Sequence, residues 1–152
     1  MIVIYTDGSS RGNPGPGGYG TVLLAKGHKK ELSEGFRKTT NNRMELLAVI
    51  KGLEALKVIN ADVLIYSDSK YVVDSVEKGW LWGWVKKGFK DKKNKDLWER
   101  FIPVYKRQKV KFKWVKGHAG NPGNERCDEL ATQAADEPNL PADVAFENGI
   151  ND

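Results

Sequence analysis

Four acids, Asp7, Glu45, Asp68 and Asp128, stand far apart in the chain, yet each lies where a regular element begins or ends. Carboxylates bind hard divalent cations, and a donor set made only of oxygen favours magnesium or manganese over zinc. Gathered in one place, four carboxylates repel one another and some of their pKa values rise, so a fold keeps such a cluster only where something compensates the charge. The chemistry that suits them is metal-assisted hydrolysis, with an activated water on one side and a stabilised leaving oxygen on the other. Each acid has a local reading too. Glu45 suits a capping box opened by Asn42, and Asp68, between Ser67 and Ser69, suits a helix N-cap. Asp7 before Gly8 suits a turn, and Asp128 suits the field near a helix start. Spacing alone leaves both readings open.

The elements that must position these acids are legible as patterns. Ile2 to Thr6 is a short apolar run that reads as a buried strand ending at Asp7. The stretch from Gly12 to Gly18, with two prolines and four glycines, reads as a loop. Tyr19–Ala25 and Lys30–Arg37 read as strands joined into a hairpin at Lys26-Gly27-His28. From Asn42 to Leu56 the period changes, and Leu46, Val49, Ile50 and Leu53 form one helical stripe with Glu45 in the first turn. Asp62–Ser67 carries the unbroken run Val63-Leu64-Ile65-Tyr66, which predicts a strand buried on both faces, with Asp68 at its end. Helices follow at Tyr71–Val76 and Lys95–Arg107, then a strand at Val110–Val115 with one basic face. A last helix begins near Asn124, with Asp128 beside an apolar stripe that includes Cys127, read as core packing. Strands followed by alternating helices and strands describe an α/β domain with a mixed sheet. In such a sheet, acids at strand ends and helix starts can meet.

Composition narrows the partners. The net charge is +5, and residues 136–152 hold five acids and no Lys or Arg, so residues 1–135 carry +10. A basic body of this kind suits a polyanion such as nucleic acid. The 17 C-terminal residues read as an acidic, loosely ordered tail. A single cysteine excludes an internal disulfide and fits a cytoplasmic protein. The short apolar opening is no membrane span, and a monomer is expected.

The residues around the acids carry a resemblance. Tyr5-Thr6-Asp7-Gly8-Ser9 with Gly12-Asn13-Pro14-Gly15-Pro16-Gly17-Gly18-Tyr19-Gly20 resembles the opening of bacterial type 1 ribonuclease H. Thr39-Thr40-Asn41-Asn42-Arg43-Met44-Glu45-Leu46, Ser67-Asp68-Ser69 with Tyr71-Val72, Trp114-Val115-Lys116-Gly117-His118-Ala119-Gly120 and Asn124-Glu125-Arg126-Cys127-Asp128-Glu129-Leu130-Ala131 resemble the family's later motifs, in the same order. The resemblance implies a catalytic domain over residues 1–135 and a five-stranded mixed sheet whose first three strands are antiparallel. It implies hydrolysis of the RNA strand of RNA/DNA hybrids, with little sequence preference, leaving 5′-phosphate and 3′-hydroxyl ends. Asp7, Glu45, Asp68 and Asp128 would be the catalytic carboxylates and the ligands of two Mg2+ ions, with Mn2+ a possible substitute. His118, in a glycine-flanked loop, would assist proton transfer or product release.

Substrate contacts follow from the same resemblance. Lys78 to Lys95 interleaves aromatics and lysines, a pattern that suits phosphate neutralisation and stacking. It resembles the family's basic protrusion, with Trp80 and Trp84 at its aromatic channel positions. Val85 interrupts the basic run, Phe89 stands where tryptophan is common, and the Lys90–Lys95 loop is short. Asn13, Asn41 and Asn42 match residues that reach the minor groove and the RNA 2′-hydroxyls, a role that suits an amide. Lys38, Thr40 and Asn94 correspond to a pocket for a DNA phosphate.

Overall fold

The computed structural model describes residues 1–117 and 120–149. The chain runs β1 (Ile2–Ser10), β2 (Gly15–Ala25), β3 (His28–Thr39), α1 (Asn41–Glu54), β4 (Asp62–Ser67), α2 (Lys70–Glu77), α3 (Trp80–Lys86), α4 (Lys95–Lys106), β5 (Lys109–Trp114), α5 (Pro122–Ala135) and α6 (Val144–Glu147). The five strands form one sheet in the order β3-β2-β1-β4-β5. β1 pairs antiparallel with β2, and β2 with β3. β4 joins β1 in parallel, and β5 joins β4 in parallel. This is the mixed α/β sheet expected from the element order.

Local chemistry explains most boundaries. The β2–β3 hairpin closes through Lys26 and Gly27, both at positive φ (50° and 78°), the conformation a tight two-residue turn requires. α1 opens at Thr40, whose hydroxyl accepts the Arg43 amide, and α2 opens at Ser69, whose hydroxyl accepts the Val72 amide. Neither Asn42 nor Asp68 is the cap, so Glu45 and Asp68 are released from the capping roles their positions also suited.

The core lies between the sheet and the helices α1 and α4. Ile4, Val63 and Ile65 of the sheet pack with Leu46, Val49, Ile50 and Leu53 of α1 and with Trp98 and Phe101 of α4. α1 is buried nearly all round, from Arg43 to Ile50 without a break, which is the condition of a central helix. α5 covers the opposite face, lying on β1, β2 and β3. Cys127 faces this packing with no exposed surface.

Three expectations change. The glycine-rich stretch is not all loop: β2 begins at Gly15, and Gly17 and Gly18 pair with Ser10 and Ser9. The reason is close helix packing, since a Cβ on Gly18 would lie 2.6 Å from the Ala131 carbonyl oxygen and one on Gly20 2.3 Å from that of Cys127. β4 is not buried on both faces: Val63, Ile65 and Ser67 are buried, whereas Leu64 and Tyr66 are half-covered. The acidic C-terminal segment is not loose over its described residues. The Arg37 amide donates to the Pro141 carbonyl (2.8 Å), Arg37 pairs with Glu147 (2.9 Å), and Asp143 is buried against Arg43 (2.7 Å). A carboxylate that finds a buried guanidinium exchanges its hydration for a charge-assisted hydrogen bond.

Candidate active site

Parallel pairing brings the end of β4 beside the middle of β1: Tyr5 pairs with Tyr66, so Asp7 and Asp68 each stand two residues beyond that pair. Asp68 directly follows β4 as expected, but Asp7 does not end β1; it pairs with Gly20, and the antiparallel ladder with β2 carries the strand on to Ser10. α1 approaches the same point through Gly8, where an added Cβ would lie 2.3 Å from the Glu45 nitrogen. Only a residue without a side chain allows this approach, and it brings the Glu45 carboxylate to the Gly8 amide, which donates to Oε1. Oxygens of Asp7, Glu45 and Asp68 all lie within 4.8 Å of one another. Asp128 reaches the same pocket from the second turn of α5 but stands outside that trio. The structure thus brings three of the four sequence-selected acids into ligand distance and leaves the fourth lining the same pocket outside that trio.

The electrostatics match the crowding. Burial, then the charge of Asp68, pushes the Asp7 carboxyl up to about 7, with Asp128 adding to the rise. Glu45 is pushed well above the usual carboxylate range by burial and by Asp7. The donors are all oxygen, which fits a hard divalent cation. A further oxygen is close by: Asn124 Oδ1 is buried without a hydrogen-bond partner among the described residues, in a recess shared with Asp7, Asp68 and Asp128.

The pocket holding the acids, about 440 Å³, is also lined by Asn41, Asn42, Lys70 and Tyr71. It opens into a groove. Asn42 and Tyr71 also line a recess with Trp80, Trp84 and Asn94, which leads to one formed by Trp80, Trp84, Lys87, Lys90 and Lys92. Lys78 lies 5.4 Å over the Trp80 ring and Lys92 lies 5.2 Å over that of Trp84. Trp80 is half exposed, whereas Phe89 is buried in the core.

Other selected residues take varied places. Asn13 Oδ1 accepts the Asn41 amide at 3.0 Å, tying the first loop to the start of α1. Thr40 is the α1 cap. Asn94 is buried; its Oδ1 accepts from Arg43 (3.3 Å) and its amide donates to the Tyr71 hydroxyl (3.1 Å). Lys38 is exposed on β3, and no described contact joins it to Thr40 or Asn94. His118 lies outside the described residues.

Three residues escaped selection from the sequence. Tyr71 accepts hydrogen bonds from Asn94 and from Trp98 Nε1 (2.9 Å) while facing the acidic pocket. Trp114 Nε1 donates to the Asp68 carbonyl at 3.0 Å and steadies the strand end. Arg43, inside a helix that reads as apolar, is 2% exposed. Its one sequence signal is a charge directly before the buried run Met44–Ile50.

The chain also matches known proteins. The family model described as RNase H matches residues 1–136. A ribonuclease H of Desulforamulus reducens is 60% identical over 148 residues, covering 94% of this chain and 92% of that protein. One from Rippkaea orientalis is 52% identical over 152 residues, covering 97% and 93%. Among solved structures, LC11-RNase H1 in complex with an RNA/DNA hybrid aligns with a TM-score of 0.66 at 30% identity, over 90% of this chain and 97% of that one. Extent, identity and the ordered acids around one pocket agree: the chain belongs to the ribonuclease H family.

Proposed function

We propose that this protein is an endonuclease that hydrolyses the RNA strand of RNA/DNA hybrids with little sequence preference, leaving 5′-phosphate and 3′-hydroxyl ends. The observation that carries the reading is the trio Asp7, Glu45 and Asp68, with oxygens within 4.8 Å of one another, at the head of a groove that runs on to a basic, aromatic protrusion. A relative crystallised on such a hybrid supports it.

Asp7, Glu45, Asp68 and Asp128 would hold two Mg2+ ions, with Mn2+ an alternative. Bound there, the ions would activate the attacking water and offset charge developing on the departing 3′ oxygen. The chain's own contribution is placement. Asp7 sits within β1, held by its pairing with β2, and its carboxylate lies within 4.8 Å of those of both Glu45 and Asp68, so it would be the central member of the donor set. The Gly8 amide holds Glu45, and the Trp114 indole holds the Asp68 backbone. Asn13, Asn41 and Asn42 present amides that can donate to and accept from a 2′-hydroxyl. Trp80, Trp84 and the protrusion lysines would carry the DNA strand, with Lys38, Thr40 and Asn94 at one of its phosphates. His118 would move a proton or release product. Cytoplasmic location and a monomeric state belong to the same proposal and rest on composition.

The test is cleavage of labelled RNA/DNA hybrid, duplex DNA and duplex RNA in parallel, with and without Mg2+. Magnesium-dependent cutting of the RNA strand in the hybrid is expected. Binding without cleavage, or equal cutting of duplex DNA, would overturn the reading.

A further inference from the structure

The five N–H groups of the Arg43 guanidinium find five oxygen partners. Nε donates to Asp143 Oδ2 (2.7 Å) and Nη2 to Asp143 Oδ1 (3.0 Å). Nη1 and Nη2 donate to the two oxygens of Asp96 (2.9 and 2.8 Å), and Nη1 also reaches Asn94 Oδ1 (3.3 Å). Asp143 further accepts from the Thr39 hydroxyl at 2.7 Å. The junction thus joins the end of β3, the start of α1, the start of α4 and the C-terminal segment. Asp143 lies beyond the residues the family model matches, 1–136.

Both neighbours of this junction face the groove. Asn41 and Asn42 directly precede Arg43 and line the acidic pocket. On the opposite side, Asn94 passes the network on to Tyr71, which lines the same pocket. Asn94 has φ 65°, the left-handed conformation that asparagine adopts more readily than most residues. A planar guanidinium forked on two carboxylates fixes direction as well as distance.

We propose that Asp143 is a positioning residue for substrate: through Arg43 it sets the separation of Asn41 and Asn42 from Asn94 and Tyr71, and so the fit of the groove to the hybrid. Asp143 is then part of the binding apparatus, although it lies in the C-terminal segment. This inference rests on the reading of the groove as the hybrid site. Asp143 touches none of the acids, so its effect falls on binding and not on the chemical step.

The test is Asp143→Asn, which removes the charge and keeps the shape. Steady-state cleavage of hybrid is measured at a temperature where circular dichroism shows wild type and variant fully folded, and hybrid affinity is measured by anisotropy in chelator, where nothing is cut. KM and Kd are expected to rise roughly tenfold with kcat within about twofold, the range of coupling through a packed network. Glu147→Ala removes the exposed ion pair of the same segment and is expected to leave both constants unchanged. A folded Asp143→Asn with wild-type KM and Kd overturns the proposal, and so does a fall confined to kcat. If Asp143→Asn does not fold, Asp143→Glu, which keeps the charge and displaces the fork by one methylene, is read the same way. Wild type that binds no hybrid in the chelator assay sinks the functional reading itself, which separates that failure from this one.

Discussion

Removing one charge from the acidic pocket should stabilise the metal-free protein, and only at high pH. Asp7 has a folded pKa of about 7 against an ordinary 3.8, because it is buried and faces Asp68. A carboxyl raised in this way favours the fold while protonated in both states, below about pH 4. That advantage is lost as pH rises through about 7, where the folded state must ionise against its surroundings. At about 1.4 kcal/mol per pH unit, the span from 3.8 to about 7 costs the metal-free fold at most about 4 kcal/mol. Asp7 and Glu45 titrate as a pair, so part of the relief returns through Glu45, and Asp7→Asn should gain about 2 kcal/mol at pH 8.5. The assay is urea denaturation in chelator at pH 4 and pH 8.5. The variant should match wild type at pH 4 and exceed it at pH 8.5. Added Mg2+ should then raise wild type more than the variant, since a ligand of the folded state stabilises in proportion to its affinity. Equal stability at pH 8.5, or the same gain at both pH values, would refute the argument that crowded carboxylates strain this pocket. In the same variant, cleavage should be abolished.

Other outcomes follow from the same structure. Gly20→Ala should cost about 2 kcal/mol or more by overpacking, because the new Cβ meets the Cys127 carbonyl oxygen at 2.3 Å; it should also lower activity by lifting α5 and Asp128, and a thermal melt at the wild-type midpoint would contradict this. Hybrid affinity should fall steeply as salt is raised from about 50 to 200 mM if the lysines between 78 and 95 neutralise phosphates as proposed; a flat response in a filter-binding titration counts against the basic grip. His118→Ala should keep metal affinity by calorimetry while turnover drops, and an unchanged kcat removes His118 from the mechanism. Asp143→Ala should lose about 3 kcal/mol in denaturant, the cost of leaving a buried partner uncompensated; a loss under about 0.5 kcal/mol would show that the Arg43 junction contributes little to stability.

Much of the fold was legible because its signals are local. The turn at Lys26-Gly27, the stripe from Leu46 to Leu53 and the apolar strand before Asp68 are each set by residues within a few positions of one another. The four acids were legible as well, since each sits inside a specific motif, although Asp7 falls within β1 and not at its end because pairing with β2 extends the strand to Ser10. What a one-dimensional reading could not decide was which of them meet. That depends on parallel pairing of β1 with β4 and on the bare backbone of Gly8 admitting α1, and it left Asp128 outside the trio.

The C-terminal segment shows the division most clearly. Composition alone gave residues 136–152 the character of a loose acidic tail, because five acids without Lys or Arg have no local partner. Their partners exist only in three dimensions: Arg43 lies 100 positions from Asp143, and Arg37 lies 110 from Glu147. Arg43 likewise looks like one surface charge on a helix until α4 and the C-terminal segment close over it. Residue types and local periods determined the elements and the chemistry they could perform. The distances between charges were decided by tertiary packing, because electrostatic energy depends on separation in space and on burial, and neither is written in the spacing along the chain.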